Sequence, residues 1–151
     1  MAHQASPHMH DIHHTQTTAR EPIQISELLA THAHWALRFS LASVFIYHGA
    51  MKFMDIAMFA EMMQFPLYVA VFVATAETVG GTLVLAGSFI RDWVTRIGAA
   101  MIIPVMLGAI TMVHWGQWNF MVSETHPMGG MEFQVTLLLV ATYFVLRGNR
   151  E

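Results

Sequence analysis

The run from Phe65 to Ile90, FPLYVAVFVATAETVGGTLVLAGSFI, constrains this chain more than any other stretch. It is apolar almost throughout and closes on Arg91-Asp92. A helix needs about 20 residues at ~1.5 Å each to cross a bilayer, and this run is long enough. A single acid, Glu77, sits in its middle. Counted from Pro66, that carboxyl lies ~17 Å in, near the midplane of a ~30 Å hydrocarbon layer. A carboxylate at that depth is costly unless it is paired, protonated or hydrated, so it marks a candidate functional site. At helical spacing Glu77 shares its face with Ala70, Ala74, Gly81 and Val84, mostly small residues that let a second helix come close. The acid is expected to look into a bundle, either as a chemical group or as a structural carboxyl paired once.

Composition supports a membrane setting. Of 151 residues, 55 % are hydrophobic and 11 % charged, against roughly 25 % charged in an average soluble domain. The length suits one domain. A net charge of −3 leaves no nucleic-acid footprint. The chain has no cysteine, which excludes disulfides, thiolate metal sites, iron–sulfur ligation and persulfide carriage by its own residues. Its start lacks a positive segment followed by an apolar core, so no cleavable secretory signal is expected and the first span would serve as the anchor.

Residues 1–31 read as a polar, histidine-rich tail. Its HMHDIHH segment places His8, His10, His13 and His14 close enough to bind a metal, although without fixed geometry. Residues 32–151 read as an all-α, polytopic membrane domain, a bundle of four transmembrane helices. The spans are expected at about 34–51, 65–90, 97–115 and 131–147. Between spans one and two, Met51, Met54, Met58 and Met62 recur at helical spacing among Lys52, Asp55 and Glu61. That pattern predicts an amphipathic helix lying in the interface, its methionines packing rather than binding copper. Arg38 is expected to snorkel to the interface as an inner-side anchor. Pro104 should kink the third span.

The Lys/Arg distribution sets an orientation. With four spans, the N-terminus, Arg91, Arg96, Arg147 and Arg150 share one side, while Lys52 stands against Asp55, Glu61 and Glu124 on the other. The positive-inside rule then puts both termini in the cytoplasm. His48, Lys52, His114 and Glu132 fall near the outer ends of their spans, with Glu77 deeper. Inward-facing, these five would line a polar pocket open to the outer side, able to pair charges, relay protons or bind a polar head group.

These residues resemble the DoxX family of small four-helix membrane proteins. The likeness rests on ALRFSLASVFIYHGAMKF, on Glu77 followed by Gly80-Gly81, on LAGSFIRDWVTRIGAA, on His114 and on Gly130-Met131-Glu132. It runs from about Trp35 to Gly148 and matches the family's polar pattern at Arg38, His48, Lys52, Glu77, His114 and Glu132. The resemblance implies a bacterial or archaeal plasma-membrane protein. One related branch supplies the small DoxD subunit of thiosulfate:quinone oxidoreductase, and other members accompany redox systems.

Three functions follow as expectations. The first is an accessory or small subunit of a membrane-bound redox complex, whose polar cluster holds the bundle and whose small-residue faces meet other membrane subunits. The second is a quinone-interacting oxidoreductase subunit, in which His48 or His114 with Glu77 and Lys52 supplies a donor and a proton. The third is a metal or haem protein, with His48 and His114 as axial ligands or joined by Glu132 and Glu77. In that third case His126, Met121, Met128 and Met131 would be a copper(I) set. A small transporter or channel is a further option.

Overall fold

In the computed structural model, which describes residues 25–149, every regular element among the described residues is helical. The order is α1 (Ile25–His32), α2 (His34–Met54), α3 (Ile56–Met63), α4 (Leu67–Ile90), α5 (Asp92–Ala109) and α6 (Glu132–Arg147). A π-helical turn, Ile110–His114, continues α5. The helices stand on the apolar runs because burying an apolar stripe is what fixes a helix in place.

Local chemistry sets the breaks between them. Asp55 ends α2 and caps α3, its side chain accepting from the Met58 N–H at 3.0 Å. Gln64 ends α3 in the left-handed region, at φ 54, and its N–H bonds back to the Ala60 and Glu61 carbonyls. Pro66 then leads into α4 with a φ already suited to a helix start. Pro104 lies inside α5 and lacks the N–H the helix ladder needs there. The π turn begins a few residues beyond it.

Helix α4 sits between α2 and α5, and glycines make both approaches close. A Cβ at Gly81 would lie 3.1 Å from the Ala42 carbonyl of α2, and one at Gly98 would lie 2.7 Å from the Gly80 carbonyl of α4. Leu41 and Phe45 from α2, Val84 from α4, Ile102 and Met106 from α5, and Leu137 and Phe144 from α6 form one apolar core. Ala70, Ala74, Glu77, Gly81 and Val84 are all buried, so the face of α4 read from the sequence is its inner face.

Met51, Met54, Met58 and Met62 of the α2–α3 region are all exposed. One expectation changes. Arg38 does not snorkel; it is fully buried. Leu67–Ile90 and Asp92–His114 are each long and apolar enough to cross a bilayer. Of the other long helices, α2 carries Arg38 and Lys52 within its length, and α6 has 16 residues, about 24 Å.

Candidate functional site

The polar side chains of the core fall into two groups at different depths. The first surrounds Arg38. Its guanidinium donates to the Val84 carbonyl at 2.6 Å, to Thr95 Oγ1 at 3.0 Å and to Asn149 Oδ1 at 2.5 Å. It also stacks over the Phe144 ring, 4.8 Å from the centroid. Asn149 is held in turn: its side-chain amide donates to the Gly87 carbonyl, its Oδ1 accepts from Thr95, and its backbone N–H donates to Asp92. Arg96 completes this end by donating to Asp92 Oδ2 and to the Val145, Leu146 and Arg147 carbonyls. These are the unpaired carbonyls that end α6, where a cation also complements the helix dipole. A buried cation is thus solvated by the Val84 carbonyl of α4, by Thr95 of α5 and by the segment after α6.

The second group lines a cavity of about 690 Å³ bounded by α2, α3, α4, α5, the π turn and α6. Near it, Lys52 Nζ donates to Glu77 Oε2 at 2.6 Å. The carboxyl is almost wholly buried, whereas the lysine side chain keeps 20 % exposure and lies 5.2 Å from the centre of the Phe59 ring. Helical spacing explains how they meet: Gly49, one turn before Lys52, lets α2 close onto α4 at Thr78, next to Glu77, and at Ala74, one turn before it. His48, one turn before Lys52, lines the same cavity and makes no hydrogen bond among the described residues.

His114 also belongs to the cavity wall, with both ring nitrogens within hydrogen-bond distance of protein groups. Its Nδ1 lies 2.9 Å from the Gly129 carbonyl, so Nδ1 carries the proton and donates. Nε2 is then an acceptor and takes the Gln134 amide N–H at 2.9 Å. Both ring nitrogens are used in tying the π turn to the loop and to α6.

Of the five pocket residues read from the sequence, four line this cavity and Glu132 does not. Glu132 faces a separate surface depression with Phe120 and Met128, and among the described residues its carboxylate takes a long 3.4 Å contact from the Phe120 N–H. The reason is helical phase. Leu137, Ala141 and Phe144 are the buried face of α6, and Gln134 precedes Leu137 by one turn, whereas Glu132 is ~200° away from Gln134. Gln134 is the residue that sequence reading missed, and the Gln134-Leu137-Ala141-Phe144 spacing is the signal that marks it. Asn149 was missed too. It lies beyond the last helix, where periodicity says nothing.

No group of three or more His, Asp or Glu side chains able to hold a metal occurs among the described residues. His114 has no free nitrogen for haem or copper. His126 is likewise engaged, Nε2 to the Trp115 carbonyl at 2.8 Å and Nδ1 to Thr125 at 3.0 Å. His8, His10, His13 and His14 lie outside the described residues.

No curated protein and no solved structure matches the chain. The family profile of DoxX matches residues 33–115, more than half of the chain, from the start of α2 to just past the π turn. The matched segment contains Arg38, His48, Lys52, Glu77 and His114, and stops before Glu132 and Gln134. With helices long and apolar enough to span a bilayer inside that segment, the chain belongs to the DoxX family and is a membrane protein of that family.

Proposed function

We propose that this protein is an accessory subunit of a membrane-bound redox complex in a bacterial or archaeal plasma membrane. It crosses the bilayer four times, through α2, α4, α5 and α6, with both termini in the cytoplasm. Its working part is the cavity that ends at Lys52 and Glu77. That cavity carries the proposal: about 690 Å³ is in the range of small-molecule sites, roughly 300–1,000 Å³. Its wall is apolar apart from a few convergent polar groups, as a lipophile site requires. The sequence carries no flavin or iron–sulfur motif, so electrons come from a partner. The redox context is supported by family resemblance.

A second reading makes the cavity a quinone site. The Lys52 ammonium, part exposed beside the cavity, favours it as a donor to a carbonyl oxygen, with His48 in the same wall.

Two measurements test these assignments. A mild-detergent pull-down of the full chain should recover a larger membrane enzyme at fixed stoichiometry, and Glu77→Gln should lower the activity of that complex while leaving its assembly intact. Recovery of the chain alone, or full activity in the variant, would count against the subunit role. The native chain has no cysteine, so single introduced cysteines report sidedness cleanly. Glu124→Cys should react with an impermeant maleimide in intact cells and Arg147→Cys only after permeabilisation. The same reactivity at both positions rules out the four-span arrangement.

A further inference from the structure

We infer that the cavity takes a neutral lipophile whose head group is a hydroxyl, an alcohol or a phenol, bound among Lys52, Glu77 and His48. The inference rests on the cavity reading above and narrows it to a ligand chemistry. Charge comes first. Lys52 and Glu77 neutralise each other at 2.6 Å, so a carboxylate or ammonium head would bring an unmatched charge into a wall of residues such as Phe45, Val73 and Leu137. A neutral head avoids that penalty.

Donor and acceptor balance comes next. An ammonium has three N–H groups. On Lys52 one is spent on Glu77, and the ammonium also lies over the Phe59 ring. The ammonium thus has an N–H left for an incoming oxygen. The acceptors outnumber it. A carboxylate offers about four lone-pair sites, and Glu77 shows one hydrogen bond, from Lys52, among the described residues. His48, four residues before Lys52 and in the same wall, offers an imidazole nitrogen not used by the described residues. His114 cannot help, because both its nitrogens are occupied. A head that only accepts would leave these acceptors dry, while a hydroxyl accepts from Lys52 and donates to Glu77 or His48 in one small group. The apolar remainder of the ligand lies along the wall toward Met106 and Leu137, and the exposed methionines of α3 form the rim. Unbranched thioether side chains adapt to chains of varied shape.

The test compares probes that differ in the head alone: 4-octylphenol, its methyl ether 4-octylanisole, and dodecanoate. Each is titrated calorimetrically into the full chain in lipid nanodiscs, with empty nanodiscs as the reference. The phenol should bind about tenfold more tightly than the ether, the effect of one hydrogen bond to a charged group, and dodecanoate no more tightly than the ether. His48 is exposed, so His48→Phe should fold normally and narrow the phenol preference; the paired Lys52→Met/Glu77→Leu variant should abolish it. Equal binding of phenol and ether to the native chain overturns the head-group inference and leaves the cavity reading standing. Binding of none of the three overturns both. A preference that survives in both variants, or tighter binding of dodecanoate, overturns the hydroxyl site.

Discussion

Lys52→Met should destabilise the protein more than Glu77→Leu does, and the double substitution should recover most of the loss. The asymmetry follows from exposure. Glu77 is nearly inaccessible, while Lys52 keeps 20 % of its side chain exposed at the cavity. Removing the lysine strands a carboxyl in an apolar interior, which costs about 3 kcal/mol through a stranded charge or forced protonation. Removing the acid leaves a cation that still reaches the cavity and the Phe59 ring, at a cost of about 1 kcal/mol. Removing both leaves an apolar contact of similar volume. Melting temperatures in one detergent, for all four proteins, measure the cycle. A Lys52→Met protein that melts like the native one would mean that the pair does not hold the acid, and the neutral-ligand argument would lose its footing. Activity provides the complementary readout: if the acid works on a bound ligand, Glu77→Leu should reduce function well beyond its effect on melting.

Arg38→Lys should be worse than Arg38→Met, the reverse of what charge conservation suggests. The guanidinium reaches Val84, Thr95 and Asn149 at once from a site with no solvent access. A lysine keeps the charge but has no planar fork, so it serves only part of that set and leaves a buried cation poorly solvated, costing about 3 kcal/mol. Methionine fills similar space without a charge. It forfeits the hydrogen bonds but also the desolvation penalty, for a net loss of about 1–2 kcal/mol. The order native, methionine, lysine in thermal or denaturant midpoints is the expected result. If lysine proves the milder change, Arg38 reaches water after all and the buried-hub description fails. Both variants should also loosen the segment after α6, because Asn149 hangs on Arg38 and Thr95; faster amide exchange at Gly148 and Asn149 reports that directly.

These two sites also divide what was legible from what was not. The inner face of α4 followed from Glu77 and its small neighbours at helical spacing, since a helix presents residues 3–4 apart on one side whatever it packs against. The apolar runs likewise located α2, α4, α5 and α6. The meeting of Lys52 with Glu77 was legible only as one option among several, because spacing along one helix says nothing about which residue of another helix stands opposite. Arg38 read as a snorkelling cation because Arg near the start of a span commonly does so. Its burial depends on where α4 and α6 end relative to α2, which is a matter of helix register in three dimensions. Charge singles out Glu132 in the sequence, but helical phase puts Gln134 and not Glu132 at the cavity wall.

Taken alone, the order of residues determined a helical membrane-family chain with a lone acid in the middle of its longest apolar run, because hydropathy and the 3.6-residue period are local properties. Only the packed helices decided that Lys52 neutralises that acid, that His114 spends both nitrogens on Gly129 and Gln134, and that Arg38 joins three other segments. Those outcomes depend on relative rotation and offset between helices, which close glycine contacts and core packing set, and no single stretch of sequence encodes them.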